Sequence, residues 1–112
     1  MKTLVLSEIT GKKSLIDPSL TEPVFEEIKD SLQKNEPIAI SFKGLERIIT
    51  AVLNVAIGKL YAPELKIADK IDTLLTIVDA NADQLDKVAQ VKKYAKMFYD
   101  DPDRLTRITA ED

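Results

Sequence analysis

The sequence predicts an α/β domain with a mixed or parallel sheet of about three to four strands and about three main helices. Segments with strand and helix character alternate along the chain. Pro37–Phe42 is a short β-rich run without clean alternation, which is typical of a central strand covered on both faces. The helix after it, from about Thr50 to Tyr61, is apolar on nearly all sides and should be buried.

Local patterns predict the elements that come before this centre. Thr3–Ile9 alternates apolar and polar residues, as a first strand with one buried face would. Thr21 and Pro23 predict the start of a helix, because Pro is tolerated in the first turn, and this helix should end near Asn35. Its predicted apolar stripe consists of Val24, Phe25, Ile28 and Leu32.

The second half of the chain predicts one more strand and one more long helix. Glu64–Ile71 has weak helical spacing, and Thr73–Val78 is a β-branched run that predicts the third strand. Asn81 and Gln84 fit a capping box that opens the last helix, which should run to about Tyr99. We expect this helix to point inward Leu85, Val88, Ala89, Ala95 and Phe98.

Length and composition indicate one globular domain. A chain of 112 residues, with 45% apolar and 31% charged residues, suits a single core, which we place at residues 1–103. Residues 104–112 should form a short C-terminal edge strand or a flexible tail. The first apolar run ends at Ser7 and is too short for a signal peptide, and no run is long enough for a membrane span. We therefore expect a cytoplasmic protein.

The residue types exclude several kinds of chemistry. The sequence has no cysteine, so thiol nucleophiles and disulfides are excluded, and no histidine, which is the commonest acid/base group and metal ligand near neutral pH. We expect a protein that is not an enzyme, with no cofactor and no metal site. Sixteen basic against nineteen acidic residues, a net charge of −3, argue against a nucleic-acid partner.

Two motifs have simple structural interpretations. Gly11–Ser14 resembles the end of a phosphate-binding loop but lacks the first glycine, so a solvated turn is the better interpretation. Two groups of carboxylates flank the last helix without the spacing of a calcium loop, and the first group complements the helix dipole. These groups are Asp79, Asp83 and Asp86 near its start, and Asp100, Asp101 and Asp103 after its end.

An aromatic and basic stretch near the end of the last helix has two interpretations. Packing of Phe98 in the core, with lysines coating the outer face, accounts for most of it. Alternatively, the stretch docks a partner or stacks bases. It contains Tyr94, Phe98 and Tyr99, interleaved with Lys92, Lys93 and Lys96.

Thr50 stands where strand and turn lead into the apolar helix. Its hydroxyl would cap the helix or lie in its first turn. It is also a candidate phosphorylation site. A phosphate adds about two negative charges, and the positive end of a helix tolerates them.

The run Ile38–Tyr61 resembles the central motif of bacterial STAS-like domains of uncharacterised function. In that motif an apolar strand ends in the pattern Phe-x-Gly, where x is any residue. Phe42, Lys43 and Gly44 have this pattern here. The following helix has Leu-Asn, then small and apolar residues, Gly, and Leu-Tyr. The resemblance implies a STAS-like fold.

STAS domains include the anti-sigma-factor antagonists, which work by partner switching. Those proteins dock on a serine kinase of the histidine-kinase-like ATPase fold. A strand leads into a helix, and phosphorylation at the first residues of this helix abolishes the docking. The resemblance places Thr50 at the phosphorylated position. Ile49 and Val52 stand where the antagonists have Asp and Gly.

The resemblance implies a non-enzymatic regulatory protein-interaction module in a bacterial or phage setting, acting in a partner-switching or phage-related system. Its partner would be a kinase-like ATPase or a transcription regulator, with no nucleic acid and no membrane involved. The alternative is a STAS-like domain that binds a small ligand, a nucleotide or a lipid. The predicted partner surface consists of Lys43, Glu46, Arg47, Thr50 and Asn54.

Overall fold

The computed structural model of the protein describes residues 2–100. The strands are β1 (Lys2–Val5), β2 (Ser14–Leu15), β3 (Ile38–Ser41), β4 (Arg47–Ile48) and β5 (Leu75–Val78). The helices are α1 (Leu6–Thr10), α2 (Glu22–Gln33), α3 (Thr50–Ala56), α4 (Ile71–Leu74) and α5 (Ala82–Asp100). Short 3-10 turns lie at Pro18–Thr21, Gly58–Tyr61, Pro63–Leu65 and Ala68–Lys70.

A three-stranded parallel sheet lies at the centre, in the order β1-β3-β5. Ile40 of the middle strand is opposite Leu4 on one side and Ile77 on the other, and every residue of β3 is buried. A second ribbon pairs β2 with β4, also in parallel. The α/β fold class and the central position of β3 are therefore confirmed.

Helix α2 is predicted closely by its sequence. Thr21 occupies the N-cap position, and its hydroxyl donates to the carbonyl of Val52, 3.1 Å away. The helix ends at Gln33, and Asn35 then adopts a left-handed backbone with φ of 59°. The predicted stripe is buried and consists of Val24, Phe25, Ile28 and Leu32.

The first strand is shorter than predicted, because the chain turns into a helix after Val5. Helix α1 buries Leu6 and leaves Ile9 exposed, whereas a strand to Ile9 would extend beyond the four-residue neighbour β3. Gly11 ends α1 in the left-handed conformation, so Gly11–Ser14 is a turn, as expected.

The apolar helix after the turn is shorter than predicted and not buried on all sides. Helix α3 ends at Ala56, and the 3-10 turn Gly58–Tyr61 follows it. Thr50, Ala51 and Asn54 are exposed on one face of α3, whereas the opposite face is buried against the core. A Cβ on Gly58 would meet side-chain atoms of Asn54 and Val91, so the absence of a side chain here leaves room for these two neighbours.

The next segment also differs in detail from its prediction. Glu64–Ile71 forms short 3-10 turns in place of a continuous helix. The third strand begins at Leu75, because Ile71–Leu74 forms one helical turn that buries Ile71. The expected strand is therefore present but two residues shorter at its start, and the predicted boundary at residue 103 and segment 104–112 lie outside the described residues.

The last helix opens as predicted and faces the core differently. The amide of Asn81 donates to Oε1 of Gln84 at 3.0 Å, and the amide of Gln84 donates to Oδ1 of Asn81 at 2.8 Å, which confirms the capping box. Predicted inward residues Val88 and Ala95 are buried. The prediction is wrong for Leu85, Ala89 and Phe98, which are exposed, whereas Gln84 and Val91 are buried. The reason is that the helix packs on α3 through a stripe of smaller side chains.

Candidate functional site

A tight turn connects β3 to β4 and carries Lys43. The amide of Phe42 donates to the carbonyl of Val78, 3.0 Å away, and the amide of Leu45 donates back to the carbonyl of Phe42 at 3.1 Å. Gly44 has a φ of 81°, a left-handed conformation that costs a residue with a Cβ about 1 kcal/mol or more. A Cβ there would also lie 3.3 Å from Oγ of Ser7. The turn therefore needs this glycine.

Hydrogen bonds at the carboxyl ends of the three parallel strands hold the turn in place. Oγ of Ser41 donates to Oδ2 of Asp79 at 2.6 Å and accepts from the amide of Lys43 at 3.2 Å. Oγ of Ser7 donates to the carbonyl of Lys43 at 2.9 Å. These bonds fix the backbone of Lys43, and Lys43 is exposed to solvent.

The short ribbon of β2 and β4 places Glu46 and Arg47 on the surface. Both of their amides donate to the carbonyl of Lys13, at 2.8 and 3.3 Å, and the amide of Ile49 donates to the carbonyl of Leu15. Both residues are exposed. The ribbon thus fixes the backbone that leads into α3.

Thr50 is the first residue of α3 and is exposed. Ile49 occupies the N-cap position with an extended backbone, and no side chain caps this helix. The predicted capping role of the Thr50 hydroxyl is therefore wrong, and its predicted place in the first turn is confirmed. The ammonium of Lys87 donates to the carbonyl of Ile48 at 3.1 Å and pairs with Asp83 at 3.1 Å, so one cation lies beside the start of α3.

Thr50 and Asn54 line one cavity together with side chains of α5. This cavity has a volume of about 290 Å³, and Gln90, Val91 and Tyr94 form its other wall. The structure therefore brings two of the five predicted partner-surface residues together. Lys43, Glu46 and Arg47 lie before α3, in the turn and β4, and outside this cavity.

A second cavity continues the first along α5, and it contains the aromatic residues for which docking is one of two interpretations of the sequence. Its volume is about 310 Å³, and it shares Asn54 and Tyr94 with the first cavity. The two cavities together are the α3–α5 groove. Its lining in the second part also includes Gly58, Lys59, Ala95, Phe98 and Tyr99.

Two aromatic side chains of the groove are half exposed. Tyr94 is 50% exposed and Phe98 is 47% exposed, and the ring of Phe98 meets that of Tyr99 edge to face, with centroids 5.0 Å apart. Phe98 is therefore not packed in the core. Aromatic residues are enriched at the centre of protein interfaces, and the interpretation of this stretch as a docking surface stays a prediction.

Three lysines near α5 are held by carboxylates, and of these Lys59 lines the groove. Lys59 pairs with Glu22 at 2.9 Å, and its ammonium lies 4.4 Å above the ring of Phe25. Lys92 and Lys96 pair with Asp72 at 3.2 and 3.5 Å. The hydrogen bond from Lys92, with the positive charges of both lysines, lowers the pKa of Asp72 below its ordinary value.

The described residues also bear on metal and membrane sites. Within residues 2–100, the His, Cys, Asp and Glu side chains form no group of three that could hold a metal ion. Asp83 of the first acidic group pairs with Lys87, while Asp101 and Asp103 lie outside the described residues. In the same part of the chain, no helix combines the length and apolar character needed to cross a membrane.

Comparison with known proteins identifies a family. Residues 22–85, more than half of the chain, match the STAS-like domain of unknown function (DUF4325), and the match spans α2, the central strand β3, the turn and α3. Searches of curated proteins and of solved structures found no match. The strand, turn and helix that place Thr50 on the surface thus lie within the matched region, and the chain belongs to the family of STAS-like domains of unknown function.

Proposed function

We propose that this protein is a non-enzymatic regulatory module of the cytoplasm that docks on another protein through the surface between the β3–β4 turn and α5. The observation that carries the proposal is the α3–α5 groove. In it, Thr50 and Asn54 from the predicted partner surface line a cavity with the half-exposed Tyr94. A surface that combines aromatic anchors with polar groups is typical of protein interfaces.

The best nucleophile candidate argues for docking over catalysis. Ser41 donates to Asp79, as a nucleophile would to a base. However, Ser41 is only 2% exposed, and its oxygen already accepts the amide of Lys43, so a substrate carbonyl or phosphate has no approach to it. This contact stabilises the turn instead.

The partner-switching part of the proposal rests on the family resemblance and on the position of Thr50. The residue is exposed at the first turn of α3, where a kinase can reach its hydroxyl. A phosphate would add about two negative charges beside the groove, which would repel an acidic partner surface. The proposed partner is a kinase-like ATPase or a transcription regulator in a bacterial or phage system.

The test is recovery of partners from native cells at native expression. Arg47→Glu and Asn54→Arg each change the proposed surface without touching the core, and Lys34→Glu is a matched charge change after the end of α2. Wild type and Lys34→Glu should recover the same kinase-like ATPase or regulator, and the two surface variants should lose it. Recovery of no such protein by wild type, or equal recovery by all four, would overturn the proposal.

The phosphorylation step has its own measurement. Mass spectrometry of protein isolated from native cells in several growth states should find phosphate on Thr50 in at least one state. Thr50→Val keeps the shape of the side chain and removes the hydroxyl, so it should abolish any phosphate-dependent release of the partner. Unmodified Thr50 in every growth state would remove phosphorylation from the proposal and leave docking intact.

A small-ligand function is the second candidate, because one cavity combines charged side chains with a buried hydroxyl. It has a volume of about 350 Å³ and is lined by Tyr61, Ala68, Asp69, Asp72, Lys96 and Tyr99. The hydroxyl of Tyr61 is buried, with no hydrogen-bond partner among the described residues. A thermal-shift screen with nucleotides and lipids tests this function, since a ligand at 100 times its Kd stabilises by about 2.7 kcal/mol.

A further inference from the structure

We propose that a cavity beside Tyr61 binds an uncharged planar molecule with N–H donors and a carbonyl or ring-nitrogen acceptor, which is the chemistry of nicotinamide or a nucleobase. This inference rests on the small-ligand function and adds the class of the ligand. It depends on a buried hydroxyl, on two carboxylates and on two aromatic rings. The Tyr61 cavity is the one lined by Tyr61, Ala68, Asp69, Asp72, Lys96 and Tyr99.

Segments distant in the sequence form the Tyr61 cavity. Tyr61 ends the 3-10 turn after α3, and Asp69 lies in the 3-10 turn before α4. Asp72 comes from α4, and Lys96 and Tyr99 come from α5. The volume of about 350 Å³ lies at the lower end of the range for ligand pockets, roughly 300–1,000 Å³. The cavity therefore has room for one small ring system with its substituents.

The hydroxyl of Tyr61 is the group that points to a ligand. Tyr61 is 4% exposed, and its hydroxyl has no hydrogen-bond partner among the described residues. A phenylalanine would bury the same ring without the cost of an unpaired polar group. Burial, together with the negative charge of Asp72, raises the pKa of Tyr61 to about 12, so the hydroxyl keeps its proton at neutral pH. An acceptor atom on a ligand would therefore satisfy it.

We expect a ligand to reach this hydroxyl by displacing Lys96, the lysine that lies over the ring. The ammonium of Lys96 is 5.8 Å from the centre of the Tyr61 ring, and the residue is exposed. Exposed side chains change rotamer within nanoseconds, so this displacement needs no change of the backbone. Asp72 would keep its other lysine, Lys92, whose ammonium is 3.2 Å away.

The two carboxylates of the cavity differ in what they already bind. Asp72 pairs with Lys92 and Lys96, at 3.2 and 3.5 Å. Asp69 is exposed and forms no ion pair within residues 2–100. An ionised carboxylate only accepts hydrogen bonds, so Asp69 needs donors. One small ligand that donates N–H groups to Asp69 and accepts from Tyr61 would complete both, because both residues line the same cavity.

The charges of the cavity disfavour ionic and aliphatic ligands. A phosphate would meet the negative charge of Asp69, while Lys96 already pairs with Asp72. A cationic ligand would meet the ammonium of Lys96, and an acyl chain would desolvate the carboxylates without offering them a donor. An uncharged planar ring has none of these costs, and it can pack on the aromatic surface of Tyr61 and Tyr99.

A titration of the full chain, followed by NMR, tests the inference. The uncharged probes are nicotinamide, uracil and adenosine, and the contrasting probes are AMP (anionic), putrescine (cationic) and decanoate (aliphatic). Shifts of the backbone amides locate the binding site. We expect at least one uncharged probe to shift the amides of Ala68, Asp69 and Asp72. Each contrasting probe should bind there at least about three-fold more weakly than the best uncharged probe.

Two variants assign the groups that bind the probe. Tyr61→Phe keeps the ring and removes the hydroxyl, so it should weaken binding of the best uncharged probe about ten-fold, the loss of one hydrogen bond. Asp69→Ala should weaken binding at least about three-fold. The matched controls Tyr94→Phe and Asp86→Ala remove an exposed hydroxyl and an exposed carboxylate outside the cavity. Each control should change the affinity less than about two-fold.

Four results would overturn the inference. They are equal affinity of wild type and either variant, amide shifts that lie outside the Tyr61 cavity, tighter binding of a contrasting probe, and no shift with any uncharged probe, which would mean that water alone meets the hydroxyl. If a contrasting probe shifts the cavity amides and no uncharged probe does, the small-ligand function stands and the ligand class is wrong. If none of the six probes shifts them, the small-ligand function fails as well. The two failures are thus distinguishable.

Discussion

Phe42 and Phe98 are the same residue in opposite surroundings. Phe42 follows the central strand and is 1% exposed, whereas Phe98 is in α5 and is 47% exposed. All large apolar side chains of β3 and of the residue after it are buried in the core, namely Ile38, Ile40 and Phe42. Helix α5 instead turns Val88, Val91 and Ala95 towards the core and leaves larger side chains outside. The difference indicates that the β3 region specifies the fold and that α5 offers a surface.

The largest expected effect comes from the buried strand. Ile40→Ala should lower the free energy of unfolding by about 2–5 kcal/mol, because it removes a fully buried side chain and leaves a cavity. Leu85→Ala is the matched truncation on α5, where 46% of the residue is exposed, and should cost about 1 kcal/mol or less. Urea denaturation measures the loss of unfolding free energy in both variants. Equal losses for Leu85→Ala and Ile40→Ala would contradict the difference between the two regions.

Tyr61 lies between the two regions and should show a strong pH dependence. Burial, together with the negative charge of Asp72, raises the pKa of Tyr61 to about 12. The unfolded chain loses this proton near pH 10, before the folded protein does, so unfolding becomes easier as pH rises from about 10 to 12. A shift of this size corresponds to at most about 3 kcal/mol.

The variant Tyr61→Phe removes both the titration and the buried hydroxyl without a partner. At neutral pH its free energy of unfolding should equal that of wild type or exceed it by up to about 1 kcal/mol, because no hydrogen bond is lost. Its advantage should grow above pH 10. Thermal denaturation from pH 7 to 11 measures this, with Tyr94→Phe as the control at a half-exposed hydroxyl. A less stable Tyr61→Phe would mean that the hydroxyl has a partner.

The smallest effect concerns the start of α5. Asn81→Ala should cost about 1 kcal/mol, because the amide of Gln84 loses its acceptor while the buried core stays intact. Asn81→Asp, which keeps an acceptor oxygen at the N-cap, should cost much less. Thermal denaturation separates the two, and equal losses would show that the capping box adds no stability.

Sequence reasoning predicted the parts of the fold that depend on local pattern. The β-rich run of β3, the stripe of α2 and the Asn81–Gln84 capping box all depend on residues that are close in the chain, and each is confirmed. The family match covers this same part, from α2 to the start of α5. Lengths were less predictable: β1 is shorter because the chain turns to bury Leu6.

The inner face of α5 was predicted only in part, with Val88 and Ala95 correct, because two apolar stripes are available on this helix. One contains Leu85 and Ala89, and the other contains Val88, Val91 and Ala95. Which stripe packs inward depends on the surface of α3 and on the space beside Gly58, where Cγ1 of Val91 would lie 3.5 Å from an added Cβ. For the same reason the sequence could not show that α3 and α5 together form a groove, although docking was one interpretation of the aromatic stretch on α5.

The same distinction applies to the predicted partner surface. Thr50 and Asn54 are four residues apart on a helix, so their shared face follows from helical geometry. That Tyr94 joins them, and that Lys43, Glu46 and Arg47 lie apart from the cavity, depends on how α5 packs. The functional role of all five residues stays a prediction.

The unfolding free energies of Phe42→Ala and Phe98→Ala, measured side by side in urea, test the central claim most directly. At the buried Phe42 the truncation should cost about 3–5 kcal/mol. At Phe98, where about half of the ring's area is already in water and no enclosed cavity forms, it should cost about 1–2 kcal/mol. Equal costs at the two positions would place Phe98 in the core and contradict the account of α5 as a docking surface.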